Sequence, residues 1–149
     1  MPGYQAHLAA GAVAGGAGLF TAVYTGHLAR DPKAIAPLFA VCLLASLFPD
    51  VDTDSKGKRI FYGLLLVLDG FLLSQGDYKM AAFLGLFAIL PGISAHRGWT
   101  HTWWAALCFP LPFVALAHYF LGVSWESALP WYLASLTGYF SHLAIDREW

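Results

Sequence analysis

Six apolar stretches, each of roughly 16 to 20 residues, make up most of this sequence, and that is near the length needed to cross a bilayer. They run from Leu8 to Tyr24, Ala34 to Phe48, Ile60 to Ser74, Lys79 to Ile93, Thr102 to Leu121 and Leu129 to Ile145. Lipid offers no partner for an unpaired backbone group, so these stretches must be helical. The composition agrees. Of 149 residues, 58% are hydrophobic and 11% charged, with a mean hydropathy of +0.60. A soluble domain is about one quarter charged. The expected fold is therefore all-α, a polytopic transmembrane bundle of about six helices forming a single domain over residues 1–149.

The same numbers narrow function. A net charge of −1 provides no basic face for nucleic acid. Cys42 and Cys108 stand in apolar runs without Cys-x-x-Cys spacing and read as small buried hydrophobes. No lysine or arginine precedes the first apolar stretch, so it reads as a retained span rather than a signal peptide.

Local signals set the expected joints. Gly11 and Gly15 form a G-x-x-x-G face suited to close helix approach. Pro49 disfavours helix at Phe48 and should end the second helix there. Asp50 to Arg59 is the most polar stretch and reads as a solvated loop. Thr100 is the expected N-cap of the fifth helix, with Gly98 permitting the turn before it.

With six spans, the N-terminus, the second loop, the fourth loop and the C-terminus share one side of the membrane. His7, Asp50, Asp52, His96, His101 and Asp146 all fall there. That side also holds Lys56, Lys58, Arg59, Arg97 and Arg147, against Arg30, Lys33 and Lys79 opposite, which favours a cytoplasmic site. Trp99, Trp103, Trp104 and Trp149 map near one interface, and Trp125 and Trp131 near the other.

Four polar motifs carry the chemistry, and each has a plainer reading. In Pro49-Asp50-Val51-Asp52, an extended chain would point both carboxylates the same way, toward one metal or two adjacent ones. A helix cap or solvated acidic loop explains the pair equally well. A calcium loop is rejected, because Ser55 and Phe61 occupy the positions that need glycine and glutamate. In His96-Arg97-Gly98-Trp99-Thr100-His101, the histidines need a glycine-bearing turn to meet. Arg97 could clamp a phosphate or carboxylate, and interfacial histidines are the plainer account. His142 and Asp146 lie four apart on one helix face, as two ligands or as a ligand with its orienting carboxylate. Ser141 could support either, and a hydrogen-bonded helix end is the simple alternative. His7 joins only through its side of the membrane. His27 and His118 fall toward the opposite face and read as structural. Asp69, inside the third stretch, is a costly intramembrane carboxyl placed apart from the metal.

Together these motifs resemble the bacterial inner-membrane family of proposed metal-dependent hydrolases, some of them under SOS (LexA) control. The matching elements are His7, Pro49-Asp50-x-Asp52, His96-Arg97-Gly98-x-Thr100-His101 and Ser141-His142-x-x-x-Asp146, which span nearly the whole chain. The resemblance implies a helical membrane protein with a divalent-metal hydrolase site at those positions. Family members commonly continue past the last aspartate into a Pro- and Gly-containing segment, whereas this sequence ends at Arg147-Glu148-Trp149.

The functional expectation is a membrane-embedded metal-dependent hydrolase of the bacterial inner membrane. Its substrate would be a phosphoester or other ester of a lipid or lipid-linked molecule. His7, Asp50, Asp52, His96, His101, His142 and Asp146 are the expected ligands of one or two divalent ions. Zinc suits this mixture best, with manganese and iron as alternatives. Asp52 is the expected proton acceptor and Arg97 the stabiliser of developing negative charge. The competing expectation is a divalent-metal binding or transport protein without hydrolysis, which would place ligands near the bilayer midplane.

Overall fold

The computed structural model describes residues 3–52, 56–89 and 99–146, apart from the side chains at 52, 57, 86, 87 and 99. These residues form helices and short connections without a strand. The helices are α1 (Tyr4–Tyr24), α2 (Pro32–Leu47), α3 (Lys56–Ser74), α4 (Tyr78–Ile89), α5 (Trp103–Cys108), α6 (Leu111–Leu121) and α7 (Trp125–Asp146), with 3₁₀ turns at Phe48–Asp52 and Trp99–His101.

Their boundaries follow from local chemistry. Asp31 caps α2 by accepting from the Lys33 N–H at 2.9 Å, with Pro32 in the first helical position. Asp77 accepts from the Met80 N–H at 3.2 Å to start α4, after Gly76 turns the chain at φ +74°. Ser124 accepts from the Ser127 N–H at 3.2 Å at the start of α7. Pro110 separates α5 from α6 because it cannot supply the backbone N–H that a continuous helix needs there.

Three expected joints are corrected. The α-helix ends at Leu47 with Phe48 as its C-cap, where Pro49 is expected to end it, but Phe48 stays helical at φ −61° and ψ −42° and leads into a 3₁₀ turn instead of an extended segment. The alternation argument for Asp50 and Asp52 therefore does not apply. The stretch Asp50 to Arg59 is also not simply a solvated loop, since Val51 is buried and Lys56 to Arg59 form the first turn of α3. The cap of α5 is Thr102, whose hydroxyl accepts from the Ala105 N–H at 3.4 Å, while Thr100 lies within the preceding 3₁₀ turn.

Three helical segments have the length and apolar composition of membrane spans, namely Tyr4–Tyr24, Pro32–Val51 and Trp103–Leu121. The third runs through the break at Pro110. At 1.5 Å per residue, the 12 described residues of α4 cover about 18 Å. Large apolar side chains cover the outer surface, among them Phe20, Leu66, Val67, Phe71 and Phe120, each at least half exposed. Such a surface belongs in lipid.

The core sits at one end of the bundle, where Phe48, Val51, Ala105, Ala106, Tyr139 and Leu143 pack together. There α1, α2 and α7 come close through three stripes of residues spaced by four. On α1 the stripe is His7, Gly11 and Gly15, which are that helix's buried residues. On α2 and its 3₁₀ extension it is Cys42, Ser46 and Asp50, and on α7 it is Gly138, His142 and Asp146. A Cβ on Gly11 would lie 2.6 Å from the Ser46 hydroxyl, and one on Gly15 2.7 Å from the Cys42 sulfur. A Cβ on Gly138 would strike the Cys42 carbonyl. The glycine face expected on α1 is thus a packing face. It has a counterpart on α7 that a lone glycine in sequence does not announce.

Candidate metal centre

Each stripe ends in a ligand-type side chain, and the ends converge. His7 lies in the first turns of α1, Asp50 in the 3₁₀ turn after α2, His101 just before α5, and His142 and Asp146 in the last turns of α7. His7 Nε2 lies 3.7 Å from Asp50 Oδ2 and 3.5 Å from Asp146 Oδ1. His101 Nε2 is 3.6 Å from Asp50 Oδ1 and 3.8 Å from Asp146 Oδ2. His142 Nε2 is 3.7 Å and 3.2 Å from the same two atoms. One ligand atom from each of Asp50, His101, His142 and Asp146 lies within 4.8 Å of all the others.

These separations leave room for a cation between the side chains. Bonds of about 2.0–2.2 Å at tetrahedral angles hold donor atoms roughly 3.3–3.6 Å apart. The six histidine–aspartate distances, 3.2 to 3.8 Å, bracket that range. Burial sharpens the point. His142 Nε2 and both carboxylate oxygens of Asp146 are buried with no hydrogen-bond partner among the described residues. Each such atom costs about 1–3 kcal/mol when left unsatisfied, and a bound cation would remove the penalty for all three.

The ring orientations are fixed by neighbours. His142 Nδ1 donates to the Ser46 carbonyl at 2.8 Å. A carbonyl only accepts, so the proton sits on Nδ1, and in the neutral ring Nε2 turns its lone pair to the carboxylates. His7 stacks on His142 with centroids 3.8 Å apart and planes 16° from parallel. His101 meets the same ring edge-on at 5.6 Å. Its turn is tied to α7 by Tyr139, whose hydroxyl donates to the Thr100 carbonyl at 2.6 Å.

Over residues 1–148 the sequence matches the family model described as YdjM inner membrane protein. The chain belongs to the YdjM inner membrane protein family. This is the LexA-regulated inner-membrane family that the motifs resemble. No curated protein and no solved structure matches the chain.

Of the seven ligands expected from sequence, this YdjM-family structure brings five together, His7, Asp50, His101, His142 and Asp146. His96 and Arg97 lie outside the described residues, as does the side chain of Asp52. Ser141 does not support the cluster; its hydroxyl donates to the Gly138 carbonyl within its own helix at 2.7 Å. His27 and His118 stand away from it. The first meets the Thr25 hydroxyl at 2.8 Å, and the second bonds the Val123 carbonyl at 2.8 Å and stacks on Trp125.

Sequence reasoning missed Tyr139, Gly138 and the Ser46 carbonyl. The first two could have been found from the spacing, since Gly138 extends the stripe of His142 and Asp146 by one turn. Tyr139 is a completely buried phenol, and such a hydroxyl needs a partner. Nothing in a sequence marks a backbone carbonyl as a ligand-orienting group.

Proposed function

We propose that the protein is a membrane-embedded metal-dependent hydrolase acting on an ester, most simply a phosphoester, of a lipid or lipid-linked substrate at one membrane face. The observation that carries this reading is the meeting of Asp50, His101, His142 and Asp146 within 4.8 Å of one another at the end of an apolar bundle, with His7 Nε2 3.7 and 3.5 Å from the two carboxylates. His7, Asp50, His101, His142 and Asp146 would hold a divalent ion, with zinc best suited to the donors and manganese or iron as alternatives. Bound there, such an ion supplies Lewis acidity and lowers the pKa of a coordinated water to about 7.

The chain's own residues supply orientation and access. Asp146 is 3% exposed and Asp50 15%, so the cage opens on the Asp50 side, and substrate would approach there. Trp103 and Trp104 are exposed beside this end and suit a membrane–water boundary. Asp52 as proton acceptor and Arg97 as stabiliser of negative charge are proposed from their sequence positions. His96 would add to the ligands of one or two ions. The excess of lysine and arginine near the motifs supports a cytoplasmic site. Transport is the weaker reading, because the described ligands gather at one end of the bundle and not halfway along it.

Metal analysis of detergent-purified protein, prepared without chelator, tests the site. We expect about one divalent ion per described cage, its loss in Asp146→Ala and weaker but measurable binding in His101→Ala. A metal-free parent protein refutes the site. Turnover of a phosphodiester and phospholipid panel tests the chemistry. Metal-dependent hydrolysis supports the enzyme, whereas a metal-loaded protein that turns over none of the panel and moves metal into proteoliposomes establishes the transporter instead.

A further inference from the structure

A second ionisable feature lies well away from the cage. Asp69 sits on α3, five residues before its end at Ser74, among leucines, glycines and Phe71. Its Oδ1 is buried with no hydrogen-bond partner among the described residues. It lines a cavity of about 210 Å³ between α3 and α4, with Tyr62, Leu65, Leu66, Leu84 and Gly85 among its walls. A Cβ on Gly85 would meet nothing within 4 Å, so that glycine leaves the floor open. The cavity faces outward, where Leu66 is 74% exposed.

Position and chemistry define what fits. At 1.5 Å per residue, Asp69 lies about 7 Å below the end of α3 that is remote from the cage. Tyr62 stands about 10 Å deeper along the same helix, and its hydroxyl is committed to the Ala88 carbonyl at 2.8 Å. The groove therefore has a carboxyl near the far membrane boundary and an apolar floor leading inward. Asp77 and Lys79 mark that boundary at the start of α4. Such a shape matches an amphiphile with its head outward and its chain inward. An anionic head brings Oδ1 no donor, and a neutral hydrocarbon also leaves it unsatisfied. An ammonium supplies both opposite charge and N–H donors.

We propose that the α3–α4 groove binds a single-chain primary-ammonium amphiphile from the membrane, with Asp69 holding the ammonium and Leu65, Leu66 and Leu84 contacting the first methylenes. Occupancy gives the orphaned Oδ1 its donor and covers the groove's apolar wall. This site is independent of the metal cage.

Binding of dodecylamine to the full chain in nonionic detergent, followed by native mass spectrometry, tests the proposal. Dodecanol and dodecyltrimethylammonium serve as controls, the second having charge without N–H donors. We expect saturable binding of one dodecylamine per chain, about tenfold tighter than either control. Asp69→Asn should erase that preference, and Gly85→Leu should abolish binding by filling the groove. Unchanged helical circular dichroism and thermal unfolding midpoint in both variants show that the bundle remains folded. Equal binding of the three amphiphiles, or a preference that survives Asp69→Asn, overturns the proposal. A parent dimer dissociated by Gly85→Leu also overturns it, by placing a second copy in the groove.

Discussion

The two ends of the bundle use histidine in nearly the same way and reach different results. At the cage end, His142 bonds the Ser46 carbonyl through Nδ1 at 2.8 Å and stacks on the ring of His7. At the far end, His118 bonds the Val123 carbonyl through Nδ1 at 2.8 Å and stacks on Trp125, with centroids 4.2 Å apart. In the neutral ring both hydrogen bonds leave Nε2 with its lone pair. What separates the two is the company of that second nitrogen. His142 Nε2 faces Asp50 and Asp146, which are brought in by α2 and by its own helix. His118 closes the end of α6 beside Gly122 at φ +67° and serves the helix terminus. A fixed tautomer prepares a ligand, and converging carboxylates make a site.

The largest expected effect breaks this comparison if it is wrong. His142→Ala should weaken metal binding by more than the roughly 10- to 100-fold that follows loss of an outer-shell partner. His118→Ala should leave metal affinity within about twofold and cost about 1 kcal/mol of stability through the lost bond to Val123. Isothermal titration of metal into the demetallated protein, with thermal unfolding in parallel, measures both. Equal metal loss in the two variants would mean that distant packing, and not the cage, controls binding.

This contrast also marks how far the sequence could be read. The pairing of His142 with Asp146 was legible because helical spacing is a property of the chain alone, and His7 was drawn in by the expected order of spans. The helical class was legible because a chain this apolar has no other way to satisfy its backbone in lipid. Asp50 was singled out for the wrong reason, since Pro49 sits in a 3₁₀ turn where tertiary packing of Phe48 and Val51 overrides the local bias toward extension. His101 lies in a turn that is hydrogen-bonded to Tyr139, 38 residues later in the chain. That kind of long-range tie leaves no periodic trace.

Backbone spacing differs between the ends as well, and an intermediate effect should follow. Near the cage, Gly138 lets α7 approach the Cys42 carbonyl on α2, one turn before Ser46. Gly18 lies on nearly the same stripe as Gly11, yet a Cβ there would meet nothing within 4 Å. Gly138→Ala should destabilise the protein by about 1–3 kcal/mol through overpacking. It should also lower metal affinity, because moving α2 displaces the carbonyl that orients His142. Gly18→Ala should be neutral or stabilise by up to about 1 kcal/mol, as alanine favours helix over glycine. Denaturation midpoints in detergent check both, and a Gly18→Ala cost matching that of Gly138→Ala would deny that close approach is confined to the cage end.

The smallest effect sharpens the comparison to a single hydrogen bond. Tyr139→Phe keeps the ring among Phe48, Phe109 and Leu143 but removes the donor to the Thr100 carbonyl. Loss of a buried hydrogen bond should cost about 1 kcal/mol. If Tyr139 only filled space, metal affinity would not change, since the ring stays in place. If it holds the turn that presents His101, affinity should fall about tenfold, in the range for outer-shell partners. The decisive arm is the double variant with His101→Ala. Once His101 is gone, Tyr139→Phe should have no further effect on metal affinity while still costing its share of stability. Additive losses of affinity would show that the phenol acts on the cage by another route.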